Sequence, residues 1–428
     1  MKKEVSPSPS LKGVIRVPSD KSISQRAAIF ALLHEGESRV LNYSPANDPQ
    51  STLKCVQDLG ATIRQEGDEL VITGTGRKGV HTPTKDIECD NSGTAMRLLS
   101  GVLVGAGITA KLCGDTSLTE RPMKRIIEPL ESMGAHILAR NSGWPPLYIS
   151  REDELNAINF ELPIASAQLK SCILLAGLFG EIPTKVIETI PSRDHTERLL
   201  GLNIEMKDGK RIISSGLSDV IPAQNYTVPG DFSSASFWLV AGAISNDAEI
   251  VLEGVGLNPT RNAALHVLKE MGADITIFNQ GSEGAEPIGD LLVKNSRLRA
   301  ISIDPALIPN CIDELPILAV AMLYADGTSI ISGASELRHK ETDRIMAISN
   351  MLKAVGADFE ERKDGVVING DPNFEFEGAK FKSYHDHRIA MASAILALKG
   401  DKESVIKGAQ HASVSYAEFW EDLESIRS

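Results

Sequence analysis

The sequence predicts a mixed α/β (α+β) fold of two similar lobes, each built from three repeats of a βαβαββ unit with buried helices. The first observation is a short polar patch that opens directly into an apolar run rich in small residues. This pattern occurs six times, with the openings at Asp20, Asn91, Ser166, Asp231, Asp313 and Asp386. Asp, Asn and Ser are common N-caps, and a helix that is apolar on nearly every side is a buried one. Each run is therefore predicted to be a buried, capped helix.

A second, glycine-ended motif alternates with these runs. Four copies end in Gly-Ala, at 60–61, 134–135, 272–273 and 356–357, with a degenerate copy at 199–202 and a truncated one at 419–426. Each copy is predicted to be an amphipathic helix with a glycine C-cap. Two short strands are predicted after each full copy: 62–65 and 69–73, 137–140 and 147–149, 275–278 and 291–293, 359–362 and 366–369. Lys-Asp-Gly-Lys at 207–210 and Arg-Lys-Asp-Gly at 362–365 are typical of hairpin turns.

The spacing of the repeats places a lobe boundary near residue 229. A chain of 428 residues exceeds what one hydrophobic core usually supports. The predicted first lobe is 20–229, and the second is 1–19 plus 230–428, with two crossovers at the hinge. The strand predicted at 13–17 precedes the first capped helix, and we expect it to complete the last repeat.

Composition excludes several classes of protein. The net charge of −13 disfavours a broad nucleic-acid surface, although a local cationic pocket remains compatible with it. No apolar stretch reaches the roughly 18 residues of a membrane span. The five cysteines form no C-x-x-C pair, which indicates reduced thiols in a cytoplasmic protein. His385, Asp386 and His387 lack a further ligand of fixed spacing, so no metal site is predicted.

Cationic side chains recur at the starts of the apolar helices. They are Lys21, Arg26, Arg97, Arg121, Lys340, Arg344 and Arg388. Burying an unpaired charge costs several kcal/mol, so a bound anion is the partner expected for these groups. Guanidinium groups suit phosphate and carboxylate because they offer paired donors in one plane.

These residues carry a family resemblance. The strings are Asp20-Lys-Ser-Ile-Ser-Gln-Arg26, Asn91-Ser-Gly-Thr-Ala-Met-Arg97, Glu120-Arg-Pro-Met123, Ser166-Ala-Gln168, Lys340-Glu-Thr-Asp-Arg344 and Asp386-His-Arg388. In this order they closely resemble the 5-enolpyruvylshikimate-3-phosphate synthases. The resemblance implies the inside-out α/β barrel lobes of the enolpyruvyl transferases. It also implies transfer of the enolpyruvyl group of phosphoenolpyruvate to the 5-hydroxyl of shikimate 3-phosphate, with release of phosphate and without any cofactor. The expected partners are these two small molecules, and the expected state is a monomer.

The resemblance also implies roles for individual residues. Asp313 would accept the proton of the 5-hydroxyl, and Lys340 would support its ionised carboxylate. Glu341 and Lys21 are two candidates for proton transfer at the methylene carbon, and the sequence leaves that choice open. The implied substrate-binding residues are Lys21, Ser22, Arg26, Asn91, Gly93, Arg121, Ser166, Ala167, Gln168, Ser192, Arg193, Asp313, Lys340, Arg344, His387 and Arg388. Gly93 in place of a larger residue predicts room for the herbicide glyphosate beside phosphoenolpyruvate.

Two rival functions are weighed against this one. The sister activity, enolpyruvyl transfer to a UDP-aminosugar, is typical of chains that open with Lys-Asn and carry a loop cysteine. Here Lys21 is followed by Ser22, and the corresponding loop at 118–121 contains no cysteine. A DNA sliding clamp also repeats α/β units, but its helices must show a basic, solvated face to the duplex. The chain departs from the family pattern at Leu98, Ala167, Glu336 and Val414.

Overall fold

The computed structural model describes residues 1–427, which form two compact units. The Lys21 unit comprises Ser19–Val228 and Ser282–Glu286. The Asp313 unit comprises Met1–Pro18, Pro229–Gly281 and Pro287–Ser428. Each unit has its own hydrophobic core. The segment Ser282–Glu286, which the sequence placed with 230–428, groups with the Lys21 unit, where Glu286 Oε1 lies 2.8 Å from His195 Nδ1.

The chain contains thirteen α-helices within the described residues. They are α1 (Lys21–Leu33), α2 (Asn47–Asp58), α3 (Gly93–Ala106), α4 (Lys124–Ser132), α5 (Ala167–Gly177), α6 (His195–Leu200), α7 (Phe232–Ile244), α8 (Ala263–Glu270), α9 (Ile308–Cys311), α10 (Leu315–Leu323), α11 (Arg344–Ala354), α12 (His387–Ala397) and α13 (Phe419–Ser425). The apolar runs become α1, α3, α5, α7, α10 and α12, and every residue of α7 and α10 is buried.

The strands, in chain order, are β1 (Lys2–Val5), β2 (Ser10–Ile15), β3 (Glu35–Leu41), β4 (Thr62–Glu66), β5 (Glu69–Thr75), β6 (Ile87–Glu88), β7 (Ala110–Cys113), β8 (His136–Arg140), β9 (Trp144–Ser150), β10 (Asn159–Glu161), β11 (Thr184–Glu188), β12 (Asn203–Lys207), β13 (Lys210–Ser215), β14 (Tyr226–Thr227), β15 (Asp247–Gly256), β16 (Asp274–Glu283), β17 (Glu286–Lys294), β18 (Gly327–Ile331), β19 (Asp358–Arg362), β20 (Gly365–Gly370), β21 (Lys380–Lys382) and β22 (Ser404–Lys407). The predicted hairpins are confirmed, and the pair β16–β17 is longer than predicted.

The strands form six small sheets, four with four strands and two with three. In the Lys21 unit their strand orders are β14-β3-β5-β4, β6-β7-β9-β8 and β10-β11-β13-β12. In each, the first pair is parallel and the remaining pairs are antiparallel. The sheets β16-β17-β15-β2, β18-β20-β19 and β1-β22-β21 lie in the Asp313 unit. The mixed α/β class is confirmed, and the three sheets of the Lys21 unit repeat one strand arrangement.

The N-terminal strands differ from the prediction. The strand expected at 13–17 is β2, and it pairs in parallel with β15 of the fourth repeat rather than with the last repeat. The last repeat is instead completed by β1, which pairs antiparallel with β22. Sequence pattern marks a strand but does not select its partner, because several apolar strands compete for the same edge.

The predicted glycine ends of the amphipathic helices are confirmed. Gly60, Gly134, Gly201, Gly272 and Gly356 have φ values of +115°, +99°, +64°, +95° and +75°. A positive φ is costly for residues with a Cβ atom, so glycine is the residue that lets the chain leave each helix. The strand that follows starts within three residues.

A close helix crossing in the Lys21 unit depends on Gly101. A Cβ atom at this position of α3 would lie 2.1 Å from the carbonyl oxygen of Cys172 in α5. Alanine normally stabilises a helix interior relative to glycine by about 1 kcal/mol. Here the clash reverses the sign, and Gly101→Ala is expected to destabilise the protein by about 1–3 kcal/mol.

Urea unfolding followed by circular dichroism measures this effect. Gly281→Ala is the matched control, because nothing lies within 4 Å of its added Cβ atom. A Gly101→Ala variant as stable as Gly281→Ala would show that the two helices do not approach this closely.

No single helix within residues 1–427 is long and apolar enough to cross a membrane. One bent pair of consecutive helices, Pro305–Cys311 with Leu315–Leu323, reaches the length and apolar composition of a membrane span only when the two are taken together.

Candidate functional site

Three buried helices start close together in the Lys21 unit. Gln25 on α1 donates from Nε2 to Ser92 Oγ at 2.6 Å, and Ser92 is the N-cap of α3. Gln168 on α5 donates from Nε2 to Thr94 Oγ1 at 2.9 Å. Each helix start presents free N–H groups and partial positive charge. The side-chain bonds therefore hold three electropositive helix starts in one region.

Lys21 is the first residue of α1. Asp20 caps this helix by accepting from Ile23 N at 2.8 Å, which leaves Lys21 and Ser22 in the first turn. Lys21 Nζ lies 2.8 Å from Asp48 Oδ2, and one quarter of its side chain is exposed. The partner carboxylate comes from α2, 27 residues away in sequence. Lys21 is thus both anchored and accessible.

Arg26 lies one turn further along α1 and is buried. Its guanidinium donates to Thr196 Oγ1 at 2.9 Å and to Ser171 Oγ at 3.0 Å. Burial lowers the pKa of Arg26 from its ordinary value, while Glu197 and Asp20 oppose this effect. Only 3% of the residue is exposed, so Arg26 offers a ligand little surface in this conformation. It connects α1 with α5 and α6.

The segment before α3 brings Asn91, Gly93 and Arg121 together. Arg121 Nη2 donates to Asn91 Oδ1 at 2.8 Å and to Ser117 Oγ at 3.2 Å. Both acceptors are neutral, so these contacts leave the positive charge of Arg121 uncompensated. Arg97, one turn into α3, donates to Gln168 Oε1 at 2.6 Å. Gln168 is therefore oriented by Arg97 on one side and Thr94 on the other.

Ser166 and Ser192 are the two serines that the resemblance implies as phosphate contacts. Ser166 caps α5, accepting from Leu169 N at 3.4 Å, and Ala167 follows it as the first helical residue. Ser192 lies in the loop between β11 and α6, with Arg193 beside it. The Ser192 hydroxyl donates to Glu188 Oε1 at 2.6 Å, and 2% of the residue is exposed. Its proton is thus engaged with a buried carboxylate.

Three helix starts also meet in the Asp313 unit. Glu314, the residue before α10, accepts from Ser233 Oγ near the start of α7. The same carboxylate lies 3.9 Å from Arg388 Nη1 at the start of α12. Asp231 and Asp386 cap α7 and α12 with their side chains. The arrangement mirrors the one in the Lys21 unit.

Asp313 is not a helix N-cap, so the prediction that it caps the fifth apolar helix is wrong. The helix α10 starts at Leu315 with Glu314 in the cap position, and no side-chain cap bond forms there. The Asp313 carboxylate instead faces three cations. Its Oδ1 atom lies 3.2 Å from Arg344 Nη1, 3.5 Å from Lys340 Nζ and 3.9 Å from Arg388 Nε.

Arg344 is the centre of the buried charge cluster in the Asp313 unit. It lies 2.6 Å from Glu341 Oε2 and 2.7 Å from Asp386 Oδ2, besides its contact with Asp313. Burial opposes the charge of Arg344, but Asp386, Glu341 and Asp313 outweigh burial and raise its pKa. Residues 340–343 are not helical, since α11 begins at Arg344 with Asp343 as its cap. Glu341 and Arg344, three residues apart in sequence, nevertheless form an ion pair.

His387 is buried beside this cluster. Burial and, to a smaller extent, the neighbouring Arg388 together lower the pKa of His387 to about 4, while Asp386 opposes the change. The imidazole is therefore neutral near pH 7. Its Nε2 atom is buried without a hydrogen-bond partner within residues 1–427. His387 adds a polar group, rather than positive charge, to the cluster.

Two of the cations have carboxylate partners that the sequence did not predict. Lys21 pairs with Asp48, and Arg344 pairs with Glu341 and Asp386. Asp48 and Asp386 were not predicted as their partners. Both lie far from the cations in sequence, and no local pattern marks them. No group of three or more His, Cys, Asp or Glu side chains that could hold a metal ion occurs within residues 1–427.

Sequence reasoning also missed a buried ionic group on α5. Lys170 lies between Glu188 and Glu197, with all three side chains inaccessible. The available signal was a single lysine within the otherwise apolar helix that begins at Ser166.

Comparison with known proteins identifies the class to which this fold and these residues belong. The structure of an enolpyruvyl transferase, NikO from Streptomyces tendae, has a TM-score of 0.75 at 15% identity over 99% of this chain and 96% of that chain, a likeness of fold alone. An EPSP synthase from Acinetobacter baumannii has a TM-score of 0.88 at 38% identity, covering 100% of this chain and 98% of that one. The chain is thus similar in fold to enolpyruvyl transferases.

Sequence comparison then resolves the family. The family model for EPSP synthase (3-phosphoshikimate 1-carboxyvinyltransferase) matches residues 5–423. A 3-phosphoshikimate 1-carboxyvinyltransferase from Salinibacter ruber is 48% identical over 97% of both chains. One from Herpetosiphon aurantiacus is 45% identical over 100% of both chains. The protein belongs to the EPSP synthase family.

Proposed function

We propose that this protein transfers the enolpyruvyl group of phosphoenolpyruvate to the 5-hydroxyl of shikimate 3-phosphate and releases phosphate, a step of chorismate and aromatic amino acid biosynthesis. The observation that carries the proposal is the family match over residues 5–423. The geometry supports it, because each unit gathers cations at electropositive helix starts. Two negatively charged reactants need such fixed positive charge to approach each other.

The chemistry requires a base at the hydroxyl and an acid at the methylene. The hydroxyl oxygen bonds to C2 of phosphoenolpyruvate as the methylene carbon takes a proton. The C–O bond to phosphate then breaks, and the new methyl group loses a proton to restore the double bond. We assign the hydroxyl proton to Asp313, since 16% of its side chain is exposed and three cations surround it. A positioned base of this kind contributes about 10²–10⁴-fold to a rate.

The proton transfer at the methylene is assigned to Glu341 or Lys21. Glu341 is 27% exposed and held by Arg344, and Lys21 is 25% exposed and held by Asp48. Each side chain is held by an ion pair and is about one quarter exposed. Lys340, which is 29% exposed, is proposed to contact shikimate 3-phosphate.

The remaining residues are proposed as substrate contacts. Ser22 and Arg26 would serve the shikimate ring with Gln168, and Ser166, Ala167, Ser192 and Arg193 the 3-phosphate. Gly93, Arg121, Arg344 and Arg388 would serve phosphoenolpyruvate, with Asn91 and His387 beside them. Arg344 is 1% exposed, so its proposed role rests mainly on holding Asp313 and Glu341.

Three further properties complete the proposal. Each unit is proposed to form the inside-out α/β barrel of the enolpyruvyl transferases, which its three sheets and three buried helices support. A separate core in each unit is compatible with a monomer. Five cysteines without a disulfide fit the predicted cytoplasmic compartment.

The proposal is tested by measuring inorganic phosphate released from purified protein. Release is expected only when phosphoenolpyruvate and shikimate 3-phosphate are both present. A parallel reaction with UDP-N-acetylglucosamine in place of shikimate 3-phosphate examines the alternative transferase. Phosphate release from phosphoenolpyruvate with UDP-N-acetylglucosamine but not with shikimate 3-phosphate, or from phosphoenolpyruvate alone, would refute the assignment.

Gly93 sets the space beside the proposed phosphoenolpyruvate contacts. A Cβ atom there would lie 2.9 Å from Arg97 Nη1 and 3.6 Å from Arg121 Nη1. Glyphosate is expected to inhibit the wild type in competition with phosphoenolpyruvate. Gly93→Ala crowds this space at a cost of about 1–3 kcal/mol, which corresponds to an inhibition constant raised by about 5- to 150-fold.

Inhibition is measured at subsaturating phosphoenolpyruvate with shikimate 3-phosphate in excess. Gly143→Ala is the control, since the nearest atom to its added Cβ lies 3.5 Å away on Lys124. Full wild-type activity in millimolar glyphosate would contradict the predicted fit.

A further inference from the structure

The loop between β11 and α6 is held by a buried ionic clamp. Lys170 Nζ on α5 lies 2.9 Å from Glu188 Oε1 at the end of β11, and 2.7 Å from Glu197 Oε1 on α6. None of the three side chains is accessible to solvent. We call Lys170, Glu188 and Glu197 the Lys170 clamp. It joins three secondary-structure elements around one loop.

All three polar groups of Ser192 bond to this clamp. The Ser192 N–H donates to Glu188 Oε1 at 3.0 Å, and its hydroxyl donates to the same oxygen at 2.6 Å. The Ser192 carbonyl accepts from Lys170 Nζ at 3.2 Å. The main chain and the side chain of this residue are therefore fixed together. A phosphate group, which only accepts hydrogen bonds when fully ionised, would have to compete with Glu188 for the hydroxyl proton.

Stability alone does not account for the clamp. Taking three charged groups out of water costs several kcal/mol for each ion, and apolar side chains of similar volume often serve the fold as well or better. The two carboxylates face Lys170 together with Arg211, whose Nη1 atom lies 3.6 Å from Glu188 Oε2, and burial raises the pKa of Glu197. What this arrangement supplies is fixed geometry, because bonds to charged groups are short and directional.

We propose that Lys170 and Glu188 are positioning residues for the binding of shikimate 3-phosphate. They hold Ser192 in place and thereby set the position of Arg193, the neighbouring residue proposed to contact the phosphate. The same lysine sits one turn after Ser166 on α5, so the clamp fixes the loop relative to the cap of α5. The inference rests on the proposed function and deepens it, because it assigns how the phosphate-binding loop is held.

The test compares Michaelis constants of Lys170→Met for the two substrates. A displaced loop is expected to raise the KM for shikimate 3-phosphate by about 10- to 100-fold, since small misplacements of binding groups have effects of this size. The KM for phosphoenolpyruvate, measured at saturating shikimate 3-phosphate, is expected to change by less than about threefold, because its proposed contacts lie elsewhere. Arg77→Met is the matched control for lost stability. Arg77 holds the carbonyls of Leu178 and Leu217 in the same unit without contacting this loop.

Glu188→Gln decides the outcome if Lys170→Met does not fold. The amide keeps an acceptor for Ser192 but loses the charge that strengthens both bonds. A several-fold rise in the KM for shikimate 3-phosphate alone supports the proposal. Equal changes for both substrates, or no change in a folded variant, overturn it. Wild-type protein that releases no phosphate from the two substrates would instead refute the proposed function itself.

Discussion

Replacing Asp313 by asparagine is expected to lower kcat by about 10²–10⁴-fold while leaving the protein folded. Asparagine has the shape of aspartate and keeps an oxygen to face Arg344 and Lys340, which lie 3.2 and 3.5 Å from the native carboxylate. It cannot accept the proton of the attacking hydroxyl. The KM values are expected to change far less than kcat, because the lost interaction belongs to the transition state.

Steady-state phosphate release at saturating substrates measures this effect. Asp304→Asn is the matched control: Asp304 lies in the same unit and caps a short helix by accepting from Ala306 N, a bond that asparagine also makes. Near-wild-type kcat in Asp313→Asn, with the control also active, would remove Asp313 from the proton transfer.

Arg344→Met is expected to destabilise the protein by about 3–5 kcal/mol, because it leaves buried carboxylates without their cation. The guanidinium contacts Asp386, Glu341 and Asp313, and 1% of the side chain is exposed. Arg344→Lys is expected to recover only part of the loss, since one ammonium group cannot reproduce the planar set of guanidinium donors. Activity is expected to fall with either change, because Asp313 and Glu341 lose the group that holds them.

Urea unfolding of each variant gives the change in stability. The control is Arg362→Met, whose exposed guanidinium lies 3.2 Å from Glu360. Exposed ion pairs contribute about 0–1 kcal/mol, so this variant is expected to resemble the wild type. Equal stabilities of Arg344→Met and Arg362→Met would show that the buried cluster does not hold the Asp313 unit together.

The sequence predicted the elements whose causes are local. A capping side chain acts within three residues, and a glycine with positive φ acts at one residue, so both leave a readable mark. The caps at Asp20, Ser166, Asp231 and Asp386 are confirmed for this reason. The hairpin between β12 and β13 is another case, with Asp208 and Gly209 at φ values of +51° and +75°.

The N-cap predicted at Asp313 is wrong, although the sequence around it contains a signal for the correct position. Proline is favoured in the first turn of a helix, and Pro316 is the second residue of α10. The cap position therefore falls on Glu314, which frees Asp313 to face the cations. The position of Pro316 is therefore the sequence signal that distinguishes Glu314, the cap, from Asp313.

Contacts between distant residues could not be predicted. The pairing of β2 with β15 joins strands more than 230 residues apart, and the bond between Arg344 and Asp386 spans 42 residues. Such partners are selected by three-dimensional packing, which one sequence does not encode in any local pattern. The Lys170 clamp belongs to the same class, although a lysine inside an apolar helix was visible.

Phosphorus NMR of the complete reaction is the most direct measurement of the proposed enolpyruvyl transfer. With enzyme, phosphoenolpyruvate and shikimate 3-phosphate together, the phosphoenolpyruvate signal is expected to decline as inorganic phosphate rises in equal amount. The phosphate ester of the shikimate is expected to persist in the product. Loss of that ester, or consumption of phosphoenolpyruvate without shikimate 3-phosphate, would contradict the transfer.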